Sequence, residues 1–265
     1  MQIYVINLAE KTGRWSRMAG LLQGLPFHRI AAVDGQTIDG PETNIRTPKK
    51  LLSRYHQACL LSHRAAYQAF LAGPDRYGCV LEDDVFISPD FPRFINNEDW
   101  IPPGCDVIKI ETTQAFVWFT GRRMACLDRQ AAQLRSLHLG AGAYIISRRA
   151  AEILLELSQG VLDCPIDRLV FGKAGRNRLH PVYQLIPALC IQGCNRGDGA
   201  TFPDMESSIE RHVAPIIRPK IIPPRKTLQE KIGRELLRPF RNIRKARRNA
   251  WLRSKGLQRQ GVPFA

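Results

Sequence analysis

Apolar residues come in short runs along this chain, each closed by a turn signal or by charge. Residues 2–8 are apolar and rich in β-branched side chains, which predicts a central strand. Over 9–24 the apolar positions move to helical spacing, with Met18, Leu21 and Leu22 in the pattern and Gly24 as its stop. Residues 27–33 predict a second strand, closed by Asp34-Gly35. Strand, helix, strand in that order is the opening of a βαβ unit in a parallel sheet.

The polar stretch 37–53, with Pro41 and Pro48, reads as a loop. Residues 58–71 form a helix with a broad apolar face, and Ser62 and His63 sit in its first half. Gly73-Pro74-Asp75 breaks it. A strand follows at the head of 77–86, then a short helix over 91–95, a strand over 106–110 that ends at Glu111, and an extended piece over 115–120. Residues 137–147 make a glycine-rich approach to a further strand. Gly140 and Gly142 there allow either a close backbone approach with room for a sugar, or simply a tight turn. Residues 148–157 are an amphipathic helix, and Pro165-Ile166-Asp167 reads as a helix start. Pro187 divides 182–191, which makes it an edge strand or two short ones. Pro215 to Pro224 holds four prolines and reads as a linker. Residues 227–255 return to helical periodicity, with an interruption expected at Pro239. The division expected is a body over 1–214 and a linker with a basic helical tail over 215–265.

Within 77–86, YGCVLEDDVF, an apolar strand runs straight into Glu82, Asp83 and Asp84. Three adjacent anions repel each other and resist burial. A solvated turn tolerates them; a divalent cation stabilises them. Hard oxygen ligands suit Mg²⁺ or Mn²⁺, and open α/β sheets bind ligands at the carboxyl ends of their strands. Strand alternation puts Glu82 and Asp84 on one side and Asp83 on the other.

Composition bounds the partners. The 265 residues are 44% hydrophobic, enough for a sizeable core. No apolar run reaches the ~18 residues of a membrane span, and the first residues lack the features of a signal peptide. Seven cysteines, at 59, 79, 105, 126, 164, 190 and 194, are expected to be reduced core residues of a cytosolic protein. Cys190 and Cys194 have no second ligand pair to complete a zinc site. The net charge is +15, and residues 218–259 hold fifteen Lys/Arg against two acids, so nearly all of it belongs to the tail. Its apolar stripe, Leu228, Ile232, Leu236, Phe240, Ile243 and Trp251 among others, with Lys and Arg on the other face, is the pattern of a segment lying on an anionic membrane surface. A nucleic-acid-binding tail is the competing reading, and a docked C-terminal helix the structural one. Walker-type, GxGxxG and GxSxG loops are missing from the sequence.

Taken in chain order, several pieces form a series. They are Val5-Ile6-Asn7-Leu8 with Arg14 and Met18; Phe27 leading to Ala32-Val33-Asp34-Gly35; Cys59-Leu60-Leu61-Ser62-His63 with Ala66-Tyr67; Leu81-Glu82-Asp83-Asp84; residues 140–147; and Pro165-Ile166-Asp167. This series resembles glycosyltransferase family 25, the lipopolysaccharide and lipooligosaccharide glycosyltransferases typified by β-1,4-galactosyltransferases. The resemblance covers about residues 2–210. It departs at Ala58, where the family has glycine, and at Gly140-Ala141-Gly142-Ala143-Tyr144, where the family has Gly-Thr-Ala-Gly-Tyr.

The resemblance implies a GT-A-like α/β fold, a Rossmann-type mixed sheet flanked by helices. It also implies a UDP-sugar donor such as UDP-galactose and a lipid-linked glycan acceptor. Attachment to the inner face of the cytoplasmic membrane through the tail fits such an acceptor. The divalent cation, Mn²⁺ or Mg²⁺, falls to Asp84 and Glu82. An inverting transfer needs a general base, for which Asp167 comes first and Glu111 second. Candidate donor contacts are Asn7, Leu8, Arg14, Asp34, Gly35, Ser62, His63 and Asp83; candidate acceptor contacts are Gly142 and Tyr144. Other readings are a nucleic-acid-binding protein whose acidic triplet is only a turn, and a metal-dependent nucleotidyltransferase or phosphatase.

Overall fold

The first strand, β1 (Gln2–Asn7), explains why its apolar run is continuous rather than alternating. Ile3 and Val5 pack into one core with Met18 and Leu22, from helix α1 (Thr12–Leu21) and its C-terminal cap. Tyr4 and Ile6 pack into a second core on the opposite face, with Tyr67 and Phe70 of α2 (Arg54–Ala72) and Ala150 and Leu154 of α4 (Arg148–Leu157). A strand covered on both faces needs apolar residues at every position. The computed structural model describes residues 1–39, 52–159, 164–179, 181–196 and 228–265.

Strands β2 (Phe27–Ala31) and β3 (Tyr77–Glu82) pair in parallel on either side of β1. The sheet extends beyond β3 through β9 (Ala143–Ser147), β5 (Val107–Lys109), β10 (Val182–Ile186), β8 (Arg129–Leu134), β7 (Phe116–Cys126) and β12 (Leu257–Gly261). The strand order is β12-β7-β8-β10-β5-β9-β3-β1-β2. Because β9 runs antiparallel to both β3 and β5, the sheet is mixed. A second sheet orders β4 (Val85–Ile87), β11 (Cys190–Gln192) and β6 (Glu111–Thr112) beside the carboxyl end of β3. Short helices α3 (Phe91–Ile95), α5 (Ile166–Phe171) and α6 (Lys173–Arg178) complete the body, and α7 (Leu228–Ser254) follows. This is the α/β class that the sequence pattern predicts.

Helix α2 begins four residues before the expected start, because Ser53 caps it by accepting from the His56 N–H. Ser147 caps α4 in the same way, accepting from Ala150. The extended piece at 115–120 is the first half of a hairpin, β7 turning back into β8. Residues 182–191 are two strands in two sheets, and β10 is interior, between β8 and β5, rather than an edge. Pro187 follows the last residue of β10, so it removes no donor from that ladder. Helix α7 passes through Pro239 without a break.

The tail divides where the sequence pattern expected one unit. Its last residues belong to the body: β12 pairs antiparallel with β7, from Leu257↔Thr120 to Gly261↔Phe116. Val262 is buried in the core on the α2 face. Further hydrogen bonds fasten the segment, the shortest of them these three. Thr112 Oγ1 donates to the Val262 carbonyl at 2.6 Å, Ala188 N–H to the Pro263 carbonyl at 2.8 Å, and the Arg129 guanidinium to the Ala265 carbonyl at 2.9 Å. The physical reason is edge pairing: β7 has free backbone groups that a last strand satisfies. The proline-rich linker at 215–224 lies outside the described residues. Among the described residues, no helix is long and apolar enough to cross a membrane.

Candidate active site

Strand β3 delivers the three carboxylates to one place, and the fold neutralises them unequally. The N–H of Glu82 still donates to the Gly142 carbonyl at 2.8 Å, so the strand is held to its last residue. Asp83 then turns to one side. Its Oδ2 accepts from Asn7 Nδ2 at 2.6 Å and its Oδ1 from Arg14 Nη1 at 3.0 Å, and all three side chains are buried. Glu82 and Asp84 turn to the other side. One amide, Gln192 Nε2, donates to both: 2.8 Å to Glu82 Oε2 and 3.3 Å to Asp84 Oδ1. Burial first, and repulsion between neighbouring carboxylates second, push both carboxyls up, Glu82 to about 8. Lys109 and Arg14 offset this only in part.

Behind Glu82 lies a chain of buried polar groups. His63 Nε2 meets Glu82 Oε1 at 3.1 Å, and its Nδ1 meets the Tyr144 hydroxyl at 2.8 Å. That hydroxyl meets the Tyr67 hydroxyl at 2.6 Å. Burial lowers His63 to about 3, so it is neutral at ordinary pH, and its contact with Glu82 is a hydrogen bond rather than an ion pair. Cys59 Sγ lies 3.8 Å from Glu82 Oε1. The three ligand atoms of Cys59, His63 and Glu82 lie within 4.8 Å of one another. Burial holds the Cys59 thiol well above its usual range and therefore protonated. This group acts as a hydrogen-bonded support for Glu82, while a thiolate would be required of a soft-metal ligand.

A cleft opens at the carboxyl ends of β1, β2 and β3. Leu8, Arg14, Asp34, Gly35, Ser62, His63, Glu82, Asp83 and Asp84 all line it, together with Lys11, Gln36, Tyr55 and Cys59. Asp34 is half-buried and its Oδ1 caps a single turn by accepting from the Gln36 N–H. Gly35 is required by contact, since a Cβ there would stand 2.5 Å from the Tyr55 ring. Asn7 and Ser62 serve the cleft from beneath. Asn7 holds Asp83, and the Ser62 hydroxyl accepts from the Val33 N–H and donates to the Ala58 carbonyl, tying the segment after β2 to α2. Arg14 faces Asp83 instead of open solvent.

Three expected site residues sit elsewhere than the sequence suggested. Glu111 is fully buried, paired at 3.0 Å with the equally buried Lys109, and also accepts from the Gly142 N–H. It is closed to an acceptor hydroxyl. Tyr144 is fully buried between His63 and Tyr67. Gly142 is packed against protein: a Cβ there would lie 3.0 Å from Gln192 Cγ and from Val85 Cγ1. Asp167 is half-buried in the first turn of α5, and its two oxygens accept from the N–H groups of Gly140 and Arg168. The helix that carries it, α5, packs against α2. Gln192 is the residue that the sequence reading missed. It lies one position past the apolar run, and no spacing marks it.

A family model described as glycosyltransferase family 25 (LPS biosynthesis protein) matches residues 1–170. The chain belongs to glycosyltransferase family 25. It is therefore a glycosyltransferase, and the cleft is its candidate active site. The chain is 28% identical over 230 residues to the lacto-N-neotetraose biosynthesis glycosyltransferase LgtB of Neisseria gonorrhoeae, over 79% of each chain. It is 27% identical over 195 residues to the lipooligosaccharide biosynthesis protein lex-1 of Haemophilus influenzae, over 70% of this chain and 63% of that one. A solved glycosyltransferase involved in glycosylation of the major capsid of PBCV-1 aligns over 74% of this chain and 93% of its own, at 11% identity and a TM-score of 0.42.

The residues of this family 25 enzyme fit a hard divalent cation. Two carboxylates, Asp84 buried and Glu82 half-buried, converge on a single amide, carry raised proton affinities and offer only oxygen. Asp83, already held by Asn7 and Arg14, is not free to join them. Two outcomes follow from the unequal neutralisation. In metal-free protein, Asp83→Asn removes the anion from buried Arg14 and will cost about 3 kcal/mol in urea unfolding. Asp84→Asn relieves crowding and will leave stability equal or higher; the reverse ranking would refute the assignment. The second concerns pH. Below its ordinary pKa, Glu82 is protonated both folded and unfolded. As pH rises toward about 8 only the folded state keeps the proton, so its contribution to stability is lost over that window. The stability of Glu82→Gln relative to wild type will therefore rise from about pH 5 to about pH 8 under chelator. A constant difference would exclude the raised pKa.

Proposed function

We propose that this enzyme transfers a hexose, galactose first among the candidates, from a UDP-sugar to a lipopolysaccharide or lipooligosaccharide acceptor, with inversion at the transferred carbon. The observation that carries the reading is the cleft itself. It joins Asp34 and Gly35, at the end of β2, to Glu82 and Asp84, at the end of β3. Names of relatives that build lacto-N-neotetraose and lipooligosaccharide support the acceptor class.

In this reading Leu8 and Gly35 face the nucleoside, and the Asp34 carboxylate accepts from ribose hydroxyls or the uracil. Glu82 and Asp84 would hold Mn²⁺ or Mg²⁺, which would supply positive charge to the leaving diphosphate. Asp83 keeps Arg14 and Asn7 fixed behind that turn, and His63, backed by Tyr144 and Tyr67, fixes the aim of Glu82. Asp167 takes the proton of the acceptor hydroxyl as it attacks. The full burial of Glu111 and Tyr144 supports Asp167 over them for that role.

The basic helix supplies a location. Phe240, Ile243 and Trp251 are exposed on α7 among exposed Arg and Lys side chains, including Arg244, Arg247, Arg248 and Arg253. Apolar side chains held out among cations suit an anionic lipid surface, where each basic residue contributes about 1 kcal/mol. Attachment to the inner face of the cytoplasmic membrane would bring the cleft to a lipid-linked acceptor.

A thermal-shift panel of UDP-sugars with and without Mn²⁺ tests the donor assignment, because a ligand bound only by the native state raises the melting temperature. One UDP-sugar will give a Mn²⁺-dependent rise that Asp84→Asn abolishes; a flat panel with folded protein would reject a UDP-sugar donor. Flotation with phosphatidylglycerol-containing vesicles tests the surface. Wild type will float, a variant with Phe240, Ile243 and Trp251 changed to Ser will not, and equal flotation of the two would remove α7 from the account.

A further inference from the structure

Gln192 stands where the metal reading needs a cation. Strand β11 places it opposite Val85 in the antiparallel pairing with β4, and the next residue, Gly193, donates its N–H to the Asp84 carbonyl at 3.0 Å. Its backbone is thus locked to the acidic turn on both sides. Its side chain rests against Gly142, where a Cβ would come within 3.2 Å of its Cδ. A side chain confined in this way has one main freedom left, rotation of the terminal amide. With its NH₂ toward the carboxylates the amide donates to both, whereas its carbonyl oxygen could accept only from one that is protonated.

The spacing is informative. Neighbouring oxygens on an octahedral ion with bonds of ~2.1 Å stand about 3.0 Å apart. Gln192 Nε2 lies 2.8 Å from Glu82 Oε2 and 3.3 Å from Asp84 Oδ1, on either side of that value. Half a turn of the amide exchanges nitrogen for oxygen at nearly the same point. The geometry points to Gln192 as an amide switch, its NH₂ bridging Glu82 and Asp84 in the cation-free enzyme and its carbonyl oxygen joining them as a third ligand when a divalent cation binds. This rests on the reading of Glu82 and Asp84 as cation ligands and extends it to a residue beyond the stretch that the family model matches, 1–170. It also gives the small sheet a part in the site, since β11 exists to hold this register.

The test is direct Mn²⁺ titration of the full chain, followed by the electron paramagnetic resonance of free Mn²⁺, without donor or acceptor. Wild type will bind one Mn²⁺ at this site. Gln192→Ala, confirmed as folded by its melting curve, will bind at least tenfold more weakly, and Gln192→Glu, which keeps an oxygen at that reach, will recover wild-type affinity or better. Unchanged or tighter binding by Gln192→Ala beside a binding wild type would overturn the switch alone and leave the carboxylate site standing. A wild type that binds no Mn²⁺ would overturn both. A crystal of wild type soaked in Mn²⁺ supplies the check that needs no variant: the ion will lie ~2.2 Å from Gln192 Oε1, and an ion bound by Glu82 and Asp84 with Gln192 still turned away would refute the switch.

Discussion

Three carboxylates at the end of one buried strand set the problem that the rest of this structure answers. Left together, they would repel each other and unfold the turn that carries them. The fold separates them by partner. Asp83 is matched to Arg14 and Asn7, two residues that the β1–α1 segment brings across from the far side of the strand. Among the described residues, Glu82 and Asp84 receive hydrogen bonds from neutral groups only: an amide, an imidazole and a thiol. The site keeps a negative deficit of partners where charge is useful, and spends its cations where rigidity is useful.

That division draws on every layer of the molecule. Helix α2 supplies Cys59, Ser62 and His63 from one face and packs Tyr67 and Phe70 into the core from the same face. Strand β9 contributes Tyr144, whose hydroxyl links His63 to Tyr67 while its ring packs edge-on against Phe171 of α5. The buried Lys109–Glu111 pair serves a neighbouring purpose. Glu111 accepts from Gly142, and Gly142 in turn holds the end of β3. A polar network of this kind fixes positions only when nearly every group has a partner. Glu111 Oε1 is one buried atom here that has none.

Much of this was legible in the sequence. The apolar run at 2–8, the helical spacing after it and the Asp34-Gly35 turn mark β1, α1 and β2 because local pattern and tertiary burial agree there. Alternation after Leu81 predicts that Asp83 parts from Glu82 and Asp84; the structure does give Asp83 different partners, although β3 ends at Glu82 and both aspartates lie in the turn that follows. Other features were hidden for physical reasons. The β7–β8 hairpin carries Arg122, Arg123, Gln130 and Gln133, so no apolar alternation announces it. Lys109 and Glu111 lie two apart on an extended chain and so share a side, yet only tertiary packing shows that both are buried. Gln192 is one polar residue after an apolar run, and its meaning comes from Gly142 and Val85, residues far from it in sequence. The helical periodicity of the tail is plain, but the pairing of 257–261 with β7 is not, since Leu257-Gln258-Arg259-Gln260 has the composition of a surface segment.

The docking of that last strand bears on how the chain is made. Thr112 and Val262 are 150 residues apart and joined by a hydrogen bond. Between them in the order of synthesis come the core of β9, the whole of α4 and the long basic helix. While a ribosome is still translating the helix, β7 therefore presents an open edge to solvent, and the nascent enzyme is exposed to pairing with other chains. Contacts so distant in sequence form slowly. The Lys and Arg residues of α7 precede the strand that closes the edge, so the chain carries its like charges before that edge is covered, and like charge opposes edge-to-edge pairing between copies.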